Sequence, residues 1–158
     1  MTPIAVVEQS AVAAIRKILL AILVLGMFGS ITELILLKHT EDVWQWIPLI
    51  LIAAGLIACA WHGISGGAPS MRVIRWLMFG FVLSGGLGVY FHYRGLTEFK
   101  LEANPSLAGW DLFLQAVRGK TPPLLAPGAM IQLGLLGLAF TYKHPTLSRS
   151  KGDSYGSK

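Results

Sequence analysis

The stretch WLMFGFVLSGGLGVYFHY, from Trp76 to Tyr93, contains no Lys, Arg, Asp or Glu. As a helix it would rise about 1.5 Å per residue and come close to crossing a hydrocarbon core of about 30 Å. Three small residues, Gly80, Ser84 and Gly88, recur at every fourth position and so share one face of that helix. The stretch therefore predicts a transmembrane helix whose small-residue face packs against its neighbours.

Three other stretches are similarly apolar, and they cover residues 18–37, 43–61 and 124–142. The chain of 158 residues is 54% hydrophobic and only 13% charged, and its mean hydropathy is +0.61. Such a composition excludes an ordinary soluble domain. We therefore predict an all-α integral membrane protein, a four-transmembrane-helix bundle that forms a single domain over residues 1–145.

Small residues also mark the first span, where Gly26 and Ser30 lie four positions apart. Lipid gives helices no hydrophobic reason to associate, so small side chains that let backbones approach closely contribute much of the packing. We expect these residues and the small face of the third span to be packing positions. The third helix is then expected at the centre of the bundle.

The basic residues predict the orientation of the chain in the membrane. Residues 1–17, 62–75 and 143–158 hold eight Lys and Arg against two Asp and Glu, a net charge of +6. The remaining segments hold five basic and six acidic residues, a net charge of −1. Because Lys and Arg accumulate in cytoplasmic loops, both termini are expected in the cytoplasm. The overall charge thus reports the topology and is not a sign of nucleic-acid binding. The segment 146–158 is polar and basic, and we predict that it is a disordered cytoplasmic tail.

The loop between the third and fourth spans is too long for a simple turn. A series of its apolar residues recurs at helical spacing: Leu107, Trp110, Phe113, Leu114 and Val117. With Asn104 as a cap and Pro105 at the first helical position, the pattern predicts a short amphipathic helix on the outer face. This helix would act as a lid, as a docking face for a partner subunit, or simply as an element resting in the headgroups. Ahead of it, residues 98–102 alternate in polarity, as a short extended segment does.

Two prolines fall at the outer ends of apolar runs. Pro48 lies near the start of the second span, and Pro127 lies several residues inside the fourth. A proline within a helix removes a backbone hydrogen bond and bends the helix. Such disruptions at membrane depth are tolerated mainly where they are buried or line a cavity, so we infer a cavity in the outer half of the bundle.

Glu33 is a carboxylate inside the first apolar run, close to its outer end. Helical spacing places it near the face of Gly26 and Ser30, so it is expected to point into the bundle. A charged group within a membrane span is a candidate functional site, and here it would be a proton or ligand site with Arg94. The alternative is that Glu33 pairs with Arg94 only for structural reasons.

Four residues at the predicted outer edge carry groups that bind divalent metals: His39, Glu41, His92 and Glu98. Nitrogen and oxygen ligands of this kind are compatible with zinc or copper. Haem is a weaker alternative, suggested by one histidine pair at each edge, His39 with His92 and His62 with His144. Neither cofactor is required by the spacing, so none is predicted.

Cys59 is the one cysteine of the sequence, which excludes disulfide frameworks and thiol oxidases that need cysteine pairs. Three motifs, ELILLKHTEDVWQWIPL (33–49), FHYRGLTEF (91–99) and PPLLAPGAMIQLGLLGLAFTYKHP (122–145), resemble those of a set of uncharacterised bacterial inner-membrane proteins. The resemblance implies the bacterial cytoplasmic membrane and a multi-pass topology, but no activity.

The sequence contains no convincing catalytic set, but it does contain packing faces and a loop suited to docking. We therefore expect a non-enzymatic accessory or assembly subunit of a membrane complex, with lipid and other membrane subunits, or copies of itself, as partners. The alternative is a small transporter or metal-handling protein that uses the outer Glu and His residues. A haem-carrying redox subunit is a third possibility.

Overall fold

The computed structural model describes residues 2–119 and 126–147. Five helices follow one another in these residues, with no strand between them: α1 (Pro3–Leu36), α2 (Val43–Ser65), α3 (Ala68–Ala103), α4 (Gly109–Val117) and α5 (Gly128–Thr141). The first three are long and apolar enough to cross a membrane. The prediction of an all-helical membrane protein is therefore confirmed at this level, with three helices of spanning length.

The short connection between α2 and α3 makes these two helices antiparallel neighbours. Gly66 ends α2 in the left-handed conformation, with φ of 58°, and its N–H donates to the His62 carbonyl at 2.8 Å. Glycine adopts this conformation without steric cost, which is why it so often ends helices. Pro69 then lies in the first turn of α3, where its missing N–H costs nothing.

The core lies where α3 meets α2 and α5. Its largest side chains are fully buried, namely Leu23, Met27, Ile52, Met71, Ile74, Met78 and Phe81. Thr141, at the end of α5, accepts a bond from Arg75 near the start of α3, whereas Ile131, near the start of α5, faces Gly85 farther along α3. The two helices are therefore antiparallel. With contacts to α2, α4 and α5, α3 is the central helix of the described chain.

The α1 helix is less covered than the other two long helices. In its apolar 18-residue window only 11% of the residues are buried, against 28% in α2 and 22% in α3. Its buried side packs through Met27 toward Gly55 of α2 and through Gly26 toward Leu133 of α5. Most of the remaining surface of α1 has no neighbour within the described chain.

The α3 helix continues ten residues past the predicted end of the third span. Residues 98–102 are helical, so the expected extended segment is wrong. The charged residues after Tyr93 have the polarity of a loop, but they are equally compatible with a helix. No residue between Tyr93 and Asn104 ends the helix. Asn104 precedes Pro105, and a residue before proline is driven out of the helical region, so α3 ends at Ala103. At about 1.5 Å per residue the 36 residues extend for about 54 Å.

The α4 helix lies against this extension of α3. Leu96 of α3 and Ala116 of α4 are both buried, and the Tyr93 and Phe113 rings lie 6.0 Å apart. The helix begins at Gly109, later than the predicted start at Asn104 and Pro105. Asn104 instead forms a local turn, in which its Oδ1 accepts from the Ser106 N–H at 3.2 Å and from the Ser106 hydroxyl at 2.7 Å.

The predicted fourth span, 124–142, corresponds in part to α5. Residues 120–125 lie outside the described residues, as does almost all of the predicted tail, 148–158. With 14 residues, α5 is about 21 Å long, shorter than the hydrocarbon core. Pro127 is its N-cap rather than an interior residue, so the predicted proline bend in this helix is wrong. Pro48, by contrast, lies within α2.

Candidate functional site

Glu33 lies on the exposed surface of α1, so the expectation that it points into the bundle is wrong. The buried side of α1 is set by Leu23 and Met27. Helical spacing alone places Glu33 within about 20° of Gly26, which packs against Leu133, but Glu33 lies two turns farther along α1 than Gly26 and its side chain is exposed. Arg94, its expected partner, pairs with Glu98 one turn along α3, with 2.8 Å between Nε and Oε1. Both side chains of that pair are well exposed, so it contributes little to stability.

The predicted metal ligands are only partly brought together. His39 and His92 are close enough for the charge of His92 to help lower the pKa of His39, after the larger effect of burial. Glu98 is engaged by Arg94, and Glu41 is exposed, with its backbone N–H donating to Gln45 Oε1 at 2.8 Å. Within residues 2–119 and 126–147, no three His, Cys, Asp or Glu side chains form a metal-binding group. The four-residue set predicted from the sequence is thus not assembled.

The predicted packing residues differ in what they meet. A Cβ at Gly80 would lie 3.3 Å from the Leu51 side chain, one at Gly88 would lie 2.7 Å from Pro127 Cβ, and one at Gly26 would lie 2.6 Å from a Leu133 methyl. The two serines, Ser30 and Ser84, are half-buried. Gly29, next to Ser30, has nothing within 4 Å.

A polar network lies at the opposite end of the helices, where α2 turns into α3. Ser70 is fully buried, and its hydroxyl donates to the Gly67 carbonyl at 2.9 Å. With its proton used there, Ser70 Oγ accepts from His62 Nδ1 at 2.9 Å. The His62 ring meets the His144 ring edge to face, at a centroid separation of 5.8 Å. The two histidines assigned to the inner edge by sequence are therefore in contact.

Two arginines from other helices cap the end of α5. Arg75 donates from Nη2 to the Thr141 carbonyl at 2.6 Å, and Arg16 donates to the carbonyls of Tyr142 and Lys143 at 3.3 and 3.1 Å. The last turn of α5 holds no basic residue, so these arginines supply the positive charge that a helix C-terminus favours. Sequence reasoning treated both arginines only as topology signals, because nothing in their spacing identifies a partner more than sixty positions away.

An open groove of about 1000 Å³ lies between the first turns of α3 and the end of α5. Arg72 and Arg75 line it from α3, and Lys143 and His144 line it from the residues after α5. The pKa of His144 lies below its ordinary value because of burial, with a smaller effect from nearby Arg16 and His62. None of the lining residues in the described part of the chain is acidic. The described lining is thus basic, through Arg72, Arg75 and Lys143, and His144 adds a ring that can take up a proton.

The two ends of the helices thus differ in charge and in what they can bind. One end combines the Arg94 and Glu98 pair with His39 and His92, and the other gathers Arg72, Arg75 and Lys143 around an open groove. Comparison with known proteins finds no matching family model, curated protein or solved structure.

Proposed function

We propose that this chain is a non-enzymatic accessory or assembly subunit of a complex in the bacterial cytoplasmic membrane, and that it docks through the uncovered side of α1. The observation that carries the proposal is a stripe of exposed residues on α1, Leu25, Gly29 and Glu33, each one turn apart. A small residue that allows close approach and a polar group that can bond across an interface are the two features that join helices in lipid. The occupant we assign to this stripe is a membrane helix of a partner subunit that carries a cation or hydrogen-bond donor.

The cost of leaving Glu33 uncovered supports this assignment. Glu33 lies about 6 Å before the end of the apolar run of α1, at the edge of the hydrocarbon. A charged group costs several kcal/mol at the centre of a bilayer and less toward its edge. A partner helix that donates a hydrogen bond removes most of that cost, and the open surface at Gly29 leaves room for its backbone.

The proposed topology is a four-helix bundle in which α5 is the fourth crossing. Its antiparallel contacts with α1 and α3, and the arginines that hold its C-terminal carbonyls, support this arrangement. Both termini then lie on one side, which the excess of Lys and Arg assigns to the cytoplasm. In this topology α4, with its exposed Trp110, is an amphipathic helix at the outer membrane surface.

The exposure of Glu33 favours a subunit over a transporter. An acid that couples proton movement to transport has to line a passage within the protein. Glu33 faces away from the core of its own chain, and Arg94 pairs with Glu98. A partner subunit accounts for an acid in this position more simply than a passage does.

Gentle extraction followed by native mass spectrometry tests the proposal. The wild-type chain should co-purify with at least one other membrane protein, and Gly29→Leu and Glu33→Gln should each lose that partner. Neither variant should change the free energy of unfolding by more than about 0.5 kcal/mol, since neither position packs within the chain. Gly86→Leu is the matched control, because Gly86 is another helical glycine with nothing within 4 Å. A wild-type chain found only as a monomer or homodimer would overturn the proposal.

A further inference from the structure

The first half of α1, residues 3–21, is an apolar helix with little cover from the described chain. Every described side chain of residues 4–15 is exposed, and Ile4, Val7 and Ile15 expose 74%, 66% and 55% of their surface. The hydrophobic packing of α1 against the core begins only at Leu19. An isolated helix of about a dozen residues is only marginally stable in water, and most helices in proteins are stabilised by the packing of an apolar face. The first half of α1 therefore needs a surface to pack against.

The apolar residues of this half follow a seven-residue repeat. Six exposed apolar residues recur at alternating intervals of three and four, and we call them the seam: Ile4, Val7, Ala11, Ala14, Ile18 and Ala21. Helices with such a repeat supercoil around one another along it, and the alanines let two backbones approach closely. The seam lies opposite the buried side of α1, because Ile18 precedes the buried Met27 by nine residues, a rotation of about 180°.

Lipid does not account for the seam. In the proposed topology, on which this step rests, residues 1–17 lie in the cytoplasm. The seam from Ile4 to Ala14 is then in water, where exposed apolar area is unfavourable. Acyl chains would also contact all sides of a helix alike, so they give no reason for a repeat along one side. A facing helix does give that reason, because each seam residue inserts between residues of the other helix.

We propose that the first halves of two α1 helices pair as a parallel coiled coil, so that the seam is covered by a second copy of this chain. Two copies in one membrane share one orientation, so their α1 helices run parallel and like seam residues meet in register. Glu8 and Lys17 flank the seam on opposite edges. In a parallel pair the acidic edge of one copy faces the basic edge of the other, which keeps like charges apart. The pairing leaves the stripe of Leu25, Gly29 and Glu33, one turn farther along α1, to the proposed partner subunit.

Cysteine cross-linking of the full-length chain in isolated membranes tests the pairing. Ala11→Cys and Ala14→Cys place a thiol on the seam, whereas Gln9→Cys and Ala13→Cys place one on the other side of the same exposed helix. A disulfide needs two Cα atoms within about 7 Å. After oxidation with copper phenanthroline, the two seam variants should run mostly as dimers on non-reducing gels, and the other two mostly as monomers. The wild-type chain is the background control, because its Cys59 is buried.

A charge in the seam should separate the two copies. Ala14→Glu buries a carboxylate between the helices and should raise the dissociation constant of the purified dimer at least about tenfold, as measured by native mass spectrometry over a dilution series. Ala13→Glu carries the same charge away from the seam and should leave that constant unchanged. Both alanines are exposed within their own chain, so neither variant should lose yield.

Three results would overturn the pairing. The first is equal cross-linking on the seam and on the other side, and the second is an equal dissociation constant for Ala14→Glu and Ala13→Glu. The third is the absence of dimers from both seam variants, which would assign the seam to lipid or to residues 148–158 of the same chain. A chain that cross-links through the seam but co-purifies with no other protein would contradict the proposed function alone. Labelling of Gln9→Cys by a membrane-impermeant maleimide only from the outer side would contradict the proposed topology alone.

Discussion

The interface between α3 and α5 and the outward side of α1 both present glycines, but only the first is filled. A Cβ at Gly134 would lie 2.8 Å from the Met78 carbonyl oxygen, and one at Gly85 would lie 2.9 Å from the Ile131 backbone nitrogen. At Gly29 of α1 there is nothing within 4 Å. The difference shows that a glycine in an apolar helix is not by itself a sign of packing within the chain. Where backbone atoms approach it, the glycine allows two helices of this protein to touch, and where nothing does, it leaves room for another molecule.

The largest effect is expected at the filled interface. Gly134→Leu inserts a branched side chain against the backbone of Met78 and Val82, which cannot move aside without separating α3 from α5. Overpacking typically costs about 1–3 kcal/mol, and a clash with backbone should reach or exceed the upper end. We expect a much lower yield and a lower unfolding temperature in detergent. If Gly134→Leu behaves like the open-site variant Gly86→Leu, the two helices do not meet as described.

Arg75 should have the second largest effect, because it connects α3 to the end of α5. Arg75→Gln shortens the side chain and removes the charged donor to the Thr141 carbonyl. Hydrogen bonds to charged groups contribute about 1.5–3 kcal/mol, so a loss of about 2 kcal/mol is expected. Chemical unfolding monitored by tryptophan fluorescence measures this difference. Arg118→Gln, an exposed arginine just after α4, is the control and should change little.

Gly26 should show an intermediate case between the filled and the open glycines. A Cβ there would lie 2.6 Å from one Leu133 methyl, and no backbone atom of another helix lies within 4 Å. Leu133 can rotate, so Gly26→Ala should cost about 1 kcal/mol rather than unfold the chain. The double variant Gly26→Ala with Leu133→Val should recover part of this loss. An equal or larger loss in the double variant would contradict the contact.

The smallest effect is expected from pH at the end of α5. Burial, together with Arg16 and His62, lowers the pKa of His144 below its ordinary value of 6.5. Between the lowered pKa of His144 in the folded chain and its ordinary pKa in the unfolded chain, the unfolded chain binds more protons. The free energy of unfolding therefore falls as the pH drops through about 6.5. Stability measured from about pH 7.5 to about pH 5 should decline, and the decline should be smaller in His144→Gln. An unchanged slope in the variant would show that His144 does not contribute.

The sequence predicted the helical class and the three long apolar helices because hydropathy alone determines both. It did not predict that α3 runs on to Ala103, since the exposed residues after Tyr93 have the polarity of a loop and only the absence of a breaking residue distinguishes them. The position of Glu33 was missed for a different reason. Helical spacing placed Glu33 near the face of Gly26 and Ser30, but such spacing gives only the direction of a side chain around the helix and not how far along the helix a neighbour covers that face.

The position of the arginine partners also lay beyond sequence reasoning. Arg16 and Arg75 are ordinary flanking charges by composition, and only the arrangement of helices in space shows that they meet the carbonyls at and just after the end of α5. The metal set failed for a local reason, since Glu98 had an ion-pair partner four residues away in Arg94. Short-range pairing on one helix competes with any long-range site for the same side chain.

The length of α3 connects the two ends of the described helices. Arg72 at the cationic groove and Leu96 beneath α4 belong to one uninterrupted helix and are separated by about 36 Å along it. A continuous helix tilts as a unit, so a displacement of one end requires an opposite displacement of the other about the point where it is held. Its close contacts with α5, around Met78 and Gly85, lie between those ends and supply that point. A tilt of α3 about this point would therefore displace the cationic groove near its start and α4 near its end in opposite directions. The displacement would be larger at α4, which lies farther from the point.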